Sequence, residues 1–257
     1  MLSTDFMTGS PNWIDLGSPD TAASAAFYAE VLGWDVQSAG PDAGGYGLFR
    51  KDGKSVAGIG PLTEENASPA WTVYFQSPDA DATAKAVEQG GGRVRRAPFD
   101  VMNAGRMGQF TDPGGADFAI WQPAAVKGLE LASEPGALFW AELHTGDPAA
   151  AHAFYRGLFG WRSLEVEIPG MTYTVLSTAE GSQEDASFGG VVPLREDAEE
   201  TRWMPYLLVE DADTVAARVR ECGGTVLVPP EDIPQVGRIA WFADPFGAAF
   251  AVIRPQG

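Results

Sequence analysis

The chain has 257 residues, 45% hydrophobic and 20% charged, with a formal net charge of −18 and a pI near 4.3. Such a composition suits a packed globular protein and repels nucleic-acid phosphates and anionic lipid headgroups, so neither nucleic acid nor membrane is expected as a partner. No apolar run approaches the ~20 residues of a membrane span. Residues 1–9 lack a signal-peptide pattern and Cys222 stands alone, so a cytoplasmic protein without an intrachain disulfide is expected.

A short strand is expected around Asn12 to Gly17, followed by Ser18-Pro19-Asp20, which supplies turn and N-cap chemistry. The helix that follows places Ala23, Phe27 and Val31 on one stripe with Tyr28 and Leu32 beside it, and Gly33 is its expected stop. Strands are predicted at Trp34 to Gln37, Gly47 to Lys51 and Val56 to Leu62. The pattern then restarts: a strand at Trp71 to Phe75, a helix from Asp79 to Gln89, and strands near Val94 to Phe99, Arg106 to Thr111 and Asp117 to Gln122.

The stretch from Pro123 to Gly136 has no clear period and reads as a linker. Beyond it the first phrase returns 127 residues on: Trp13-Ile14-Asp15-Leu16 as Trp140-Ala141-Glu142-Leu143, and Leu32-Gly33-Trp34 as Phe159-Gly160-Trp161. A later phrase returns 132 residues on: Gly105-Arg106 through Asp112-Pro113 as Gly237-Arg238 through Asp244-Pro245. Helices are expected at Asp147 to Gly160 and about Asp211 to Gly223. Internal repetition of this kind decides the architecture. The expected fold is α+β: four βαβββ modules forming two domains, 1–122 and 137–257 joined by 123–136, each with a cupped mixed sheet. The acidic run Glu196 to Glu200 reads as a solvated loop.

This plan, with Asp-x6-Phe-Tyr, Leu/Phe-Gly-Trp and Asp-Pro-x-Gly in both halves, resembles the vicinal oxygen chelate superfamily of glyoxalases, bleomycin resistance proteins and extradiol dioxygenases. It looks closest to two-domain glyoxalase-like proteins that carry a hydroxylase label. The resemblance implies metal ligands on the first strand of each module and near the end of each half. Counted onto this chain those positions are Trp13, Thr72 and Ala119, and Trp140, Met204 and Ala251, none of which ligates a divalent ion. A metal-independent protein without a cofactor is therefore expected.

Strand alternation turns Trp13 and Asp15 into the first cup and Trp140, Glu142 and His144 into the second. Thr72 and Tyr74 are answered by Met204 and Tyr206, and Asp117, Ala119 and Trp121 complete the first cup. Trp13, Trp140, Thr72, Met204, Asp117 and Trp121 are read as ligand-binding, and Asp15, Glu142, His144, Tyr74 and Tyr206 as candidates for acid–base work. Each has a structural alternative: indoles as core, acids held by Tyr74 and Tyr206, and His144 as a capping residue. Arg106 and Arg238 are expected to anchor loops by ion pairs, with binding of an anionic ligand group as the second reading. Gly58-Ile59-Gly60 and Gly189-Gly190 are expected to permit tight strand geometry or the approach of a ligand.

Two functions remain open. In one, the cups bind and sequester a small aromatic or polyketide-like molecule, in a monomer of two pseudo-equivalent domains or a homodimer. In the other, Asp15 or Glu142 drives isomerisation, dehydration or hydroxylation of a metabolite. A divalent-metal glyoxalase or dioxygenase is the remaining alternative.

Overall fold

The computed structural model describes residues 2–62, 67–168, 171–183, 185–194 and 200–256. The acidic run at 196–200 falls almost wholly outside them. In chain order the first half holds β1 (Pro11–Ser18), α1 (Thr21–Leu32), β2 (Asp35–Ser38), β3 (Gly47–Lys51), β4 (Lys54–Pro61), β5 (Ala70–Gln76), α2 (Ala80–Gln89), β6 (Arg93–Val101), β7 (Gly105–Thr111) and β8 (Asp117–Pro123). The second half repeats it as β9 (Leu138–Thr145), α3 (Pro148–Phe159), β10 (Arg162–Ile168), β11 (Met171–Ser177), β12 (Ser187–Pro193), β13 (Arg202–Leu208), α4 (Ala212–Glu221), β14 (Thr225–Ile233), β15 (Gly237–Ala243) and β16 (Ala249–Pro255). The α+β expectation and the βαβββ order hold in both halves. Two eight-stranded sheets result, ordered β2-β3-β4-β1-β5-β8-β7-β6 and β10-β11-β12-β9-β13-β16-β15-β14.

Local chemistry starts and stops the helices. Asp20, Asp79, Asp147 and Asp211 each cap a helix, their carboxylates accepting from backbone amides of the first turn. Gly33 and Gly160 close α1 and α3 in the left-handed region, at φ 69° and 71°. The buried stripe of α1 differs by one position from the expected one: Ala23 is exposed, and Ser24 is buried against the Ser18 hydroxyl at 2.8 Å.

The chain packs as two compact units, one of residues 1–13, 73–128 and 140–204, the other of 14–72, 129–139 and 205–257. Each unit therefore joins a module of the first half to a module of the second. The doubled motifs explain this pairing. In one unit the buried Tyr155 hydroxyl donates to Asp112 Oδ2 at 3.0 Å and accepts from Trp203 Nε1 at 2.8 Å. In the other, the Tyr28 hydroxyl lies 3.4 Å from Asp244 Oδ2 and accepts from Trp71 Nε1 at 3.0 Å. The Phe-Tyr of a helix in one half thus finds the Asp-Pro turn of the other half.

Aromatic side chains surround both hydroxyls. Tyr155 stacks on Trp161 at 4.9 Å between centroids, and Phe75 meets Trp161 and Trp203 edge-on at 5.0 Å each. Tyr28 stacks on Trp34 at 5.7 Å beside Phe49 and Trp71. Burial raises the carboxyls of Asp112 and Asp244 above their ordinary range, an effect opposed by the amides of Ala116 and Ala248 that donate to them. The linker is tied down as well: Trp34 Nε1 donates to the Gly136 carbonyl at 2.8 Å, and Glu130 accepts from the Ser55 amide at 2.7 Å.

Candidate functional site

Strand β9 alternates as expected, with Trp140, Glu142 and His144 on one face and Ala141 and Leu143 buried on the other. Register extends that face across the neighbouring strands. Glu142 pairs with Gly190 on β12, Gly190 with Val175 on β11, and Val175 with Leu164 on β10. One step along, His144 pairs with Val192, and Tyr173 with Val166. Side chains of paired residues share a face.

Glu142 lies at the polar centre of this face, 7% exposed, beside His144, 2% exposed. Its Oε2 accepts from the Tyr173 hydroxyl at 2.8 Å, and its Oε1 is 3.0 Å from His144 Nε2. The Tyr173 hydroxyl in turn accepts from Trp140 Nε1 at 2.8 Å. Burial first, then the Glu142 charge, holds the Tyr173 hydroxyl well above its ordinary pKa, so it stays protonated. Gly190 makes the cluster possible: a Cβ there would collide with the Tyr173 hydroxyl. What approaches this glycine is a tyrosine of the protein itself.

The first half carries a reduced copy. Asp15 pairs with Gly58, Gly58 with Leu48, and Leu48 with Gln37. The Tyr46 hydroxyl donates to Asp15 Oδ2 at 3.2 Å, and a Cβ at Gly58 would collide with it. Gly17 and Gly60, which pair with each other, stand where the second half has His144 and Val192. Both phenols escaped the sequence reading. Two signals pointed to them: Tyr46 and Tyr173 are 127 residues apart like Trp13 and Trp140, and Gly58 and Gly190 are 132 apart like the later phrase.

The remaining sequence candidates lie as follows. Tyr74 is 3% exposed in a cluster with Ala119 and Trp121, against which Trp13 and Met107 pack. Trp121 spends its indole N–H on the Val126 carbonyl at 2.9 Å. Thr72 is half-buried on β5 and Met204 is wholly buried on β13. The Tyr206 hydroxyl accepts from Trp241 Nε1 at 2.9 Å. Asp117, expected to face inward, sits exposed at the start of β8, where Arg95 and the Thr111 hydroxyl engage it. Arg106 clamps Asp81 and Asp100 at 2.9 Å each, and Arg238 bonds Asp213 and Asp232, so the ion-pair reading of both arginines holds.

The donor set does not fit a family-type metal. Among the described residues no three His, Cys, Asp or Glu side chains are grouped to hold an ion. Glu142 and His144 supply two donors, and the neighbouring Tyr173 phenol resists ionisation. A surface cavity of about 660 Å³ in the other unit is lined by residues such as Lys51, Lys54, Glu134, Asp211 and Arg218, with no aromatic side chain. No helix among the described residues is long and apolar enough to cross a membrane.

Comparison with known proteins agrees with this fold. The pattern of the Glyoxalase/Bleomycin resistance protein/Dioxygenase superfamily matches residues 10–120 and again 137–252. The chain is 39% identical to the anthracycline biosynthesis protein DauV of Streptomyces sp. (strain C5), covering 97% of this chain and 94% of the relative. Among solved structures, the 2,3-dioxygenase LapB of Pseudomonas sp. KL28 superposes with a TM-score of 0.65 at 17% identity, covering 98% of this chain and 94% of that one. The Mn(II)-bound glyoxalase of Novosphingobium aromaticivorans does so with 0.65 at 17%, covering 96% and 82%. Those two show the shared fold, and the sequence match over nearly the whole length settles membership. The chain belongs to the glyoxalase/bleomycin resistance/dioxygenase superfamily, with two glyoxalase-fold domains in tandem.

Proposed function

We propose that the chain binds a small, flat, largely apolar aromatic molecule, without a metal, on the face of β9 to β12 that carries Glu142. The observation that carries this reading is an apolar rim meeting a polar floor. Leu164 and Val166 are 52% and 37% exposed on the same face as Tyr173 and Val175, and the face deepens to the occluded Glu142 and His144. Exposed apolar side chains that run into a few convergent polar groups are the usual make-up of a small-molecule site. Trp140 and Tyr173 supply ring faces, and Glu142 a carboxylate for a ligand hydroxyl. The likeness to a protein of anthracycline biosynthesis supports a fused-ring aromatic ligand. In this reading domain 137–257 carries the binding face and domain 1–122 a reduced copy that lacks the apolar rim, in a cytoplasmic monomer or homodimer.

The first half has Gln37 and Ala39 where Leu164 and Val166 stand. Titration with 1,8-dihydroxyanthraquinone, followed by quenching of tryptophan fluorescence, tests the reading. Saturable quenching is expected, and Leu164→Gln with Val166→Ala should weaken it by about 1–2 kcal/mol, roughly five- to thirty-fold. Quenching that is absent, or untouched by that pair of changes, overturns it.

A further inference from the structure

The second-half face holds more than a ligand needs. Binding calls for ring faces and a hydrogen-bonding group; here the acid and the phenol are joined to each other and braced from both sides. Tyr173 donates to Glu142 at 2.8 Å, Trp140 Nε1 donates to the Tyr173 oxygen at 2.8 Å, and His144 Nε2 stands 3.0 Å from the other carboxylate oxygen. The first half keeps the acid and phenol, at 3.2 Å, but has Gly17 in place of the histidine. A carboxylate hydrogen-bonded to a phenol can take one proton and return another, provided the phenol oxygen is steadied while it is without its own. The Trp140 N–H is placed to do that.

We propose that Glu142 and Tyr173 form a cofactor-free proton relay that interconverts the keto and enol forms of an aromatic ketone bound on this face. The proposal rests on the binding reading above. Glu142 takes a proton from the carbon next to the carbonyl. The C–H electron pair becomes a C=C bond, and the carbonyl π pair moves onto oxygen, which takes the Tyr173 hydroxyl proton. The phenolate oxygen, held by the Trp140 N–H, regains a proton from the newly formed Glu142 carboxylic acid across their shared hydrogen bond. One proton has moved from carbon to oxygen, no electrons are gained or lost, and both side chains are restored. Because burial keeps Tyr173 protonated, the phenolate does not accumulate and the transfers are coupled. Trp140 and His144 act as positioning residues, Glu142 and Tyr173 as the catalytic pair.

The probe is 2-tetralone, a flat aromatic ketone with exchangeable protons beside its carbonyl. The full chain is incubated with it in D2O, and loss of the α-proton signal is followed by NMR while fluorescence quenching reports binding. The wild type should exchange faster than buffer, and Glu142→Gln and Tyr173→Phe should each lose about 10²–10⁴-fold, the usual share of positioned acid–base groups. Tyr46→Phe should leave the rate unchanged, and Tyr173→Phe should keep quenching within about threefold. Wild-type exchange at the buffer rate with quenching intact overturns the relay and leaves binding standing; absence of both overturns both readings. Equal exchange in the wild type and in both variants also overturns the relay, and the wild-type comparison with buffer holds even where a variant does not fold.

Discussion

The hydroxyl of Tyr155, on the first helix of the second half, donates to Oδ2 of Asp112, in the closing turn of the first half, at 3.0 Å and in full burial. Tyr28 and Asp244 repeat the relationship in the other unit. The two phrases that mark the sequence as a repeat are therefore the two ends of one contact, exchanged between halves. Removing the hydroxyl leaves the Trp203 indole N–H and an Asp112 oxygen buried without it. Tyr155→Phe should cost about 1–3 kcal/mol of stability, the usual penalty for an orphaned buried polar group. Denaturant melts of the purified variant check this, and a loss below about 0.5 kcal/mol would show the contact to be ornamental.

Acid should affect these carboxylates in the less common direction. Asp112 and Asp244 have folded-state pKa values raised above the ordinary 3.8, chiefly by burial. The folded chain thus binds protons more tightly than the unfolded one in the window just above pH 3.8. Stability from these two groups falls as pH rises through that window and is regained as pH drops through it. Relief of repulsion among the groups behind a net charge of −18 acts in the same sense. Asp112→Asn, which removes the titrating group but keeps an acceptor for only one of Tyr155 and the Ala116 amide, should lower stability and flatten the dependence of melting temperature on pH just above 3.8; an unchanged slope would assign the effect to other groups.

Gly190 and Tyr173 form a coupled pair. A methyl group at position 190 meets the Tyr173 hydroxyl, so Gly190→Ala should destabilise by about 1–3 kcal/mol and displace the phenol from Glu142. Combining Gly190→Ala with Tyr173→Ala should recover part of that loss, since the clash is with both the hydroxyl and the ring of Tyr173. A double-mutant cycle by thermal or denaturant melting reads the coupling, expected at about 0.5–3 kcal/mol. Strict additivity would mean that the glycine serves only the strand.

Chelation tests the donor set. Dialysis against EDTA should leave the melting temperature and anthraquinone quenching unchanged, because Trp13, Thr72 and Ala119 and their counterparts Trp140, Met204 and Ala251 offer no ligands. Elemental analysis showing one divalent ion per chain that resists dialysis, and whose removal abolishes quenching, would defeat the metal-free reading.

Much of this molecule could be read residue by residue. Aspartate caps, glycine stops and two-residue alternation located the helices and placed Trp140, Glu142 and His144 on one face, because each depends on neighbours within a turn or a strand. The same locality misplaced Ala23, which a stripe argument buries and the sheet leaves exposed. It also passed over Tyr46 and Tyr173. Their roles depend on which strands lie side by side, and on glycines at positions 58 and 190 that admit a ring.

The amino-acid sequence by itself determined the repeat, the module order and the α+β class, since these follow from residue identity and spacing. Only the tertiary structure decided that each half completes the core of the other through Tyr155–Asp112 and Tyr28–Asp244, and that Glu142 is held by Tyr173 rather than left open. Those contacts join residues 43, 216 and 31 positions apart. Strand register and burial bring such groups together, and no local propensity encodes either.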